Sequence, residues 1–225
     1  MGMAIALCLE PGVSVTHDAV RLCAETATLL LWIGEAGVRV YSAGMPGGSS
    51  GERLIEQALI HADSTRRLAA AGRLYELMFG TRLPPSNSIE KLRGIEGSRV
   101  RALYVKLASE RGLSWSGREN SPKDMQEALG FATSCLYGIA EAVILAAGYS
   151  PAIGIVHSGD SRSLVFDLAD TIKFQTVVPL AFDVCKEGIE DVRNTVRRRC
   201  RDLFREENVA STLFDNLATI FSETE

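Results

Sequence analysis

Gly44-Met45-Pro46-Gly47-Gly48-Ser49-Ser50-Gly51 divides the chain into two unlike parts. Four glycines and a proline in so short a stretch favour neither helix nor strand, so it reads as a loop and the best domain boundary. Upstream, Ala4–Leu9 reads as a strand ended by Pro11-Gly12. Thr16 can cap a helix through about Thr26, with Ala19, Val20, Leu22 and Cys23 on its inner side. Leu29–Ile33 and Val38–Ser42 read as short strands with a hairpin-like connection at Glu35-Ala36-Gly37. Downstream everything reads helical: Glu52–Phe79, Ser88–Arg111, an apolar central Asp124–Ala147, Ser161–Phe182, Glu190–Arg205 and Asn208–Phe221, with a polar loop at Gly112–Pro122. The fold class is therefore α+β: a short β-rich (α/β) N-terminal domain over residues 1–45 and a larger all-helical domain over 46–225.

Composition sets few limits. The 225 residues are 46% hydrophobic and 23% charged with a net charge of −4, ordinary for a soluble protein. Global charge does not advertise nucleic acid, but its distribution does. Six arginines (Arg193, Arg197, Arg198, Arg199, Arg201 and Arg205) face the single acid Asp202 over one helical stretch. Arg193, Arg197 and Arg201 recur at one-turn spacing, which fits phosphate contacts or a solvated face paired with neighbouring acids. The five cysteines (Cys8, Cys23, Cys135, Cys185 and Cys200) are scattered and form no Cys-x-x-Cys, so reduced thiols in a cytoplasmic protein are the simplest account. Met1–Leu9 lacks a basic start and does not read as a secretory signal. Cys135–Val156 is apolar but holds Glu141, Gly148 and Pro151, which reads as a core helix and turn, with no membrane span.

Three places carry chemistry. His157-Ser-Gly-Asp-Ser-Arg-Ser-Leu-Val-Phe-Asp167-Leu-Ala-Asp170 sets an imidazole and two carboxylates at the edge of an apolar helical pattern, with Leu164, Val165, Leu168 and Ile172 pointing to the core. A divalent cation, Mg2+, Mn2+ or Zn2+, would offset such carboxylates; on spacing alone, two surface aspartates and a loop histidine are the simpler reading. Glu96 lies between Gly94 and Gly97 inside a helix, where glycine costs roughly 1 kcal/mol, so close approach of a backbone or ligand is one reading. Helix packing through glycine, with Glu96 paired to an arginine, is the other. Gly47-Gly-Ser49-Ser-Gly51 matches a nucleophile elbow, but no strand leads into Ser49, and a Ser49/Glu52 capping box explains it better. Trp115 reads as a loop anchor before a base-stacking residue, His17 and His61 as structural or exposed, and Glu141 as a buried acid satisfied locally.

Several segments taken together carry a likeness: Leu9-Glu-Pro-Gly12, Trp32-Ile-Gly-Glu-Ala-Gly-Val-Arg-Val-Tyr41, Leu92-Arg-Gly-Ile-Glu-Gly-Ser-Arg-Val-Arg101, Ala132-Thr-Ser-Cys-Leu-Tyr-Gly138, Ile144-Leu-Ala-Ala-Gly-Tyr-Ser-Pro-Ala-Ile-Gly154 and Phe166-Asp-Leu-Ala-Asp170. Nearly end to end, the chain resembles the CRISPR-associated integrases, the first-numbered proteins of the Cas series, in their type I-E form. The resemblance implies an enzyme of CRISPR adaptation that inserts new spacers. A 3′-hydroxyl of the incoming DNA would attack a phosphodiester at the repeat, and water in its place would give endonuclease activity. It implies that Glu96, His157 and Asp170 bind the catalytic metal, Mg2+ or Mn2+, and that Asp167 supports the site. It implies DNA contacts at Arg21, Arg39, Arg118, Lys173, Arg197 and Arg201, with Tyr137 near the active site. The implied partners are double-stranded DNA, both prespacer and leader-repeat, a small second adaptation protein and a second copy of the chain, with no membrane.

The chain departs from the family pattern in three respects. Family members begin with several more strands, so the resemblance implies an incomplete N-terminal domain here, and they carry a long C-terminal tail. Two positions that are aromatic in relatives are Asn120 and Met125, and the following loop is shorter. Two other functions use the same residues: a standalone metal-dependent nuclease in repair, and a non-catalytic DNA-binding scaffold.

Overall fold

A computed structural model of the protein describes residues 4–34, 40–44, 51–84 and 86–222. Arg39, the Glu35-Ala36-Gly37 connection and Ser49 lie outside them. The architecture is α+β. A three-stranded sheet, β1 (Ala6–Leu9), β2 (Leu29–Ile33) and β3 (Val40–Ala43), is ordered β1-β2-β3. β1 and β2 run parallel, with Cys8 opposite Leu31, through the crossover helix α1 (His17–Glu25). β3 pairs antiparallel to β2, with Trp32 opposite Ser42. Leu29, Leu30 and Leu31 are all buried, as expected of a central strand covered on both faces. Thr16 caps α1, its hydroxyl accepting from the Ala19 amide at 3.2 Å. The inward face expected for α1 is not there: none of its residues is buried, and Val20 and Leu22 are exposed. One and a half turns of apolar spacing were too short to say which side the sheet would cover.

The helical part runs α2 (Glu52–Ala62), α3 (Ser64–Phe79), α4 (Ile89–Ser109), α5 (Lys123–Ala146), α6 (Ser163–Asp170), α7 (Val177–Lys186), α8 (Val192–Glu206) and α9 (Val209–Ile220). Two expected helices are each broken. Glu52–Phe79 divides at Asp63, whose backbone is extended and whose carboxylate accepts from the Thr65 and Arg66 amides at 2.8 and 2.9 Å, capping α3. Asp63→Ala is expected to lower stability by about 1 kcal/mol, read as a shift in urea midpoint. Ser161–Phe182 divides over residues 171–176, where the Thr171 and Thr176 hydroxyls donate to the Leu168 and Ile172 carbonyls. The N-cap of α2 is Gly51, with no side-chain cap of its own, and the Ser49 half of the expected capping box lies outside the described residues.

α5 is the centre. By length and hydropathy it could cross a membrane, but α6, α7, α8 and α9 pack around it. Its buried residues, Leu129, Ala132, Leu136, Ala140 and Ile144 among them, form the core expected of a buried helix. α5 also lies against β2 and β3, which joins the sheet to the helices. The loop from Ala147 to Arg162 carries the chain from the end of α5 to the start of α6, and His157 sits in it.

Candidate functional site

The site is built around Asp167. Side chains on α6 at Leu164, Val165 and Leu168 are fully buried, and that packing takes Asp167 inward with them, to 1% exposure. A carboxylate so placed is costly unless its lone pairs are met. They are met by the preceding loop. Oδ2 accepts from the Ile155 amide at 2.5 Å and the Val156 amide at 3.0 Å. Oδ1 accepts from the His157 amide at 3.0 Å and from the His157 ring at Nδ1, 2.7 Å away. Gly154 makes this possible, since a Cβ there would meet the His157 carbonyl, Asp167 Oδ2 at 2.8 Å and Ser163 Cβ at 2.8 Å.

This arrangement holds the His157 imidazole by Nδ1 and leaves Nε2 as its free face. The ring is partly exposed, and Phe166 packs edge-on against it at 5.7 Å. The hydrogen bond to Asp167 raises the imidazole pKa above its ordinary value; burial opposes this, and Asp167, Asp170 and Glu96 add to it by their charge. Asp170 ends α6 and pairs with Lys173 at 3.0 Å, both side chains largely covered. Burial works against the Lys173 charge, but Asp170 and the hydroxyls of Tyr137 and Tyr104 more than offset it, and its pKa lies above the usual lysine range. Glu96 comes from α4, where Tyr75 on α3 donates to Oε2 at 3.0 Å. Burial raises the Glu96 pKa; the Tyr75 hydrogen bond opposes this, Asp170 adds to it, and His157 and Arg93 reduce it.

Glu96, His157 and Asp170 thus come from three separate segments and act on one another's charge. Among the described residues no three His, Cys, Asp or Glu side chains close into a coordination set as they stand. The chemistry of the donors nevertheless fits a divalent cation. An imidazole is fixed at Nδ1 by a carboxylate behind it, and Asp170 and Glu96 each keep one oxygen outside the hydrogen bonds just described.

Other expected residues sort differently. Tyr137 is close, its ring 5.1 Å from that of Phe166. Arg118 is exposed in a short 3-10 turn over residues 118–120. Arg201 is exposed but pairs with Asp202 at 2.9 Å. Arg21 is exposed on α1 and pairs with Glu25 at 3.0 Å and Asp18 at 3.6 Å. Arg197 is a correction to an evenly exposed stripe: it is 8% exposed on α8, which packs against α5, so the stripe is interrupted at its middle. Arg199 is held by Glu187 at 2.6 and 2.8 Å.

The glycines beside Glu96 have open space where a Cβ would stand, so neither helix packing nor another backbone explains them, and Glu96 bonds to Tyr75 rather than to an arginine. Trp115 is an anchor, stacked on Tyr104 at 4.6 Å and edge-on to Phe182. His61 is structural, bonded through Nδ1 to the Gly154 carbonyl at 2.7 Å, and His17 is exposed. Glu141 is another correction: it is only half-buried and lines a 640 Å³ cavity with Tyr137 and Arg162. Tyr75 was not anticipated, since it recurs at apolar spacing with Ala71 and Met78 and reads as plain core.

Residues 77–201 match a family model described as CRISPR associated protein Cas1. A protein named CRISPR-associated endonuclease Cas1 from Escherichia coli (strain K12) is 46% identical, over 100% of this chain and 76% of that protein. Its namesake from Geobacter sulfurreducens is 42% identical over 99% of this chain and 74% of that protein. The fold matches a crystal structure of a TtCas1–DNA complex with a TM-score of 0.87 and 35% identity, covering 98% of this chain and 84% of the other. With a family match over more than half its residues and such likeness along its whole length, the chain belongs to the Cas1 family of CRISPR-associated proteins.

Proposed function

We propose that this chain is a divalent-metal-dependent DNA integrase and endonuclease of CRISPR adaptation. The observation that carries the reading is the convergence of Glu96, His157 and Asp170 from α4, the α5–α6 loop and α6, with His157 fixed from behind by Asp167. The endonuclease names of the relatives and the DNA in the TtCas1 complex support it. Glu96, His157 and Asp170 would hold Mg2+ or Mn2+. When bound, the ion supplies a Lewis acid toward a phosphodiester. The chain's own residues do the rest. Asp167 keeps Nδ1 engaged, so Nε2 is the face that His157 presents. Tyr75 holds one oxygen of Glu96 and Lys173 one oxygen of Asp170, which limits how either carboxylate can turn. Lys173 adds a cation where a transferred phosphate gathers negative charge. The exposed Arg118 and Arg201 would meet backbone phosphates and carry little sequence information.

In the reaction a 3′-hydroxyl displaces the leaving 3′-oxygen of a repeat phosphodiester, forming one ester bond as another breaks. Water in that role gives cleavage. Double-stranded DNA, a small second adaptation protein and a second copy of this chain are the proposed partners. The test combines the protein with that small partner, a 5′-labelled duplex with free 3′-hydroxyls and a supercoiled plasmid bearing leader and repeat, with Mg2+ or Mn2+ varied. Label transfer that needs metal and falls about 100-fold or more in His157→Ala is the expected result. Metal-dependent cleavage without transfer would favour a nuclease of repair, and DNA binding with neither reaction a scaffold.

A further inference from the structure

We propose that Gln57 is a positioning residue for His157, an inference that rests on the function proposed above. The loop that leads to His157 is held along two edges. Asp167 takes its amides at Ile155, Val156 and His157. Its carbonyls face α2 and α3, and side chains from those helices take them one after another. Arg53 donates to Ala147 at 2.9 Å, Gln57 to Ser150 at 2.8 Å and to Ile153 at 2.7 Å. His61 donates through Nδ1 to Gly154 at 2.7 Å, and Arg67 to Ile155 at 2.7 Å. Arg53, Gln57 and His61 are one turn apart on α2, so a single helix face reads the loop like a ladder.

Gln57 is the rung with the most to lose. It is fully buried. Its carboxamide donates twice and accepts once, Oε1 taking the Ser150 amide at 2.8 Å. Both ends of the span from Ser150 to Ile153 are fixed by one planar group, just before Gly154 enters the crowded space beside Asp167. Packing alone would be served by leucine at this position. A satisfied carboxamide instead specifies one path for the loop, and that path decides where the imidazole stands. Displacements of about 1 Å at a reacting group can cost about 100-fold in rate.

The experiment uses the full chain and two variants. Gln57→Leu keeps the volume and deletes all three bonds; Gln57→Glu keeps the acceptor for Ser150 and deletes both donors. Two readouts are taken. Amide hydrogen exchange over residues 150–158, without metal or DNA, is expected to speed about tenfold or more in both variants. Label transfer at saturating DNA is expected to fall about tenfold or more while DNA affinity changes less than about twofold, because affinity is set by phosphate contacts elsewhere. Arg73→Met removes a comparable clamp, on the Ile220 carbonyl, and is the control for lost stability; it should leave exchange over 150–158 unchanged. Unchanged exchange in folded Gln57→Leu and Gln57→Glu, or equal losses in affinity and transfer, would overturn the proposal. Failure of the integrase reading has a different mark, wild-type transfer or cleavage insensitive to His157→Ala, and in that event the exchange readout alone decides on Gln57.

Discussion

Replacing Asp167 with asparagine is expected to cost about 3–5 kcal/mol of folding stability, with a fall of about 1–2 M in urea midpoint. The carboxylate accepts from the amides of Ile155, Val156 and His157 and from the His157 ring, at 1% exposure. Asparagine has one oxygen for two pairs of donors. Turned one way, its NH2 group faces the Ile155 and Val156 N–H donors; turned the other, it faces the His157 N–H and forces Nδ1 to become an acceptor, in a space closed to water. The same change releases Nδ1 of His157, so DNA transfer should fall with stability. Asp170→Asn gives the contrast. Asp170 ends α6 and accepts from Lys173 alone among the described side chains, and asparagine keeps an oxygen for that bond but not the charge, so its loss should cost about 1–3 kcal/mol, less than at Asp167, while abolishing transfer. Two aspartates three residues apart thus separate into one that builds the site and one that serves in it. Equal urea midpoints for both variants would show that Asp167 is not the keystone of the loop.

That separation was only half legible in the sequence. Periodicity located Leu164, Val165 and Leu168 on the buried face and brought both aspartates near it, but a period of 3.6 says nothing about which carboxylate a loop will fold over. The resemblance put Asp167 behind the site and Glu96, His157 and Asp170 at it, and the structure sets His157 within electrostatic reach of the other three. The breaks at Asp63 and over residues 171–176 were missed for a different reason. The apolar period continues through both, and only the capping carboxylate and the threonine hydroxyls, with Asn216 donating to Thr171 at 2.9 Å, reveal them. Arg197 shows the opposite limit. Arg193, Arg197 and Arg201 are equivalent by spacing, and only the approach of α8 to α5 buries the middle one. Gln57 left a faint signal, a glutamine three residues before Ile60 on the inner face of α2, but its meaning lies in a loop some 90 residues away, at Ser150 and Ile153.

Gly154→Ala is the second large effect expected, and it tests the same construction from the side of space rather than charge. A methyl at residue 154 would overlap the His157 carbonyl and stand 2.8 Å from both Asp167 Oδ2 and Ser163 Cβ. None of these neighbours is the loose end of a flexible chain: one is backbone, one a carboxylate held by four donors, one the Cβ of a buried helix residue. Overpacking of this kind costs about 1–3 kcal/mol where side chains can shift, and the rigid neighbours here put Gly154→Ala at the upper end, about 3 kcal/mol, or about 6–12 °C in Tm. Relief would come by pushing the loop off Asp167, which moves His157 and should reduce DNA transfer by at least about tenfold. Gly148→Ala is the matched comparison within the same loop. Gly148 adopts a left-handed φ of +82° with open space around it, so alanine there meets only the backbone preference, about 1–2 kcal/mol. It should lower Tm modestly and leave transfer near wild type, because nothing next to His157 has to move. Two glycines in one loop therefore separate a conformational requirement from a steric one. Equal losses of transfer in both variants would mean that general loosening of the loop, and not the close packing against Asp167, governs where His157 sits.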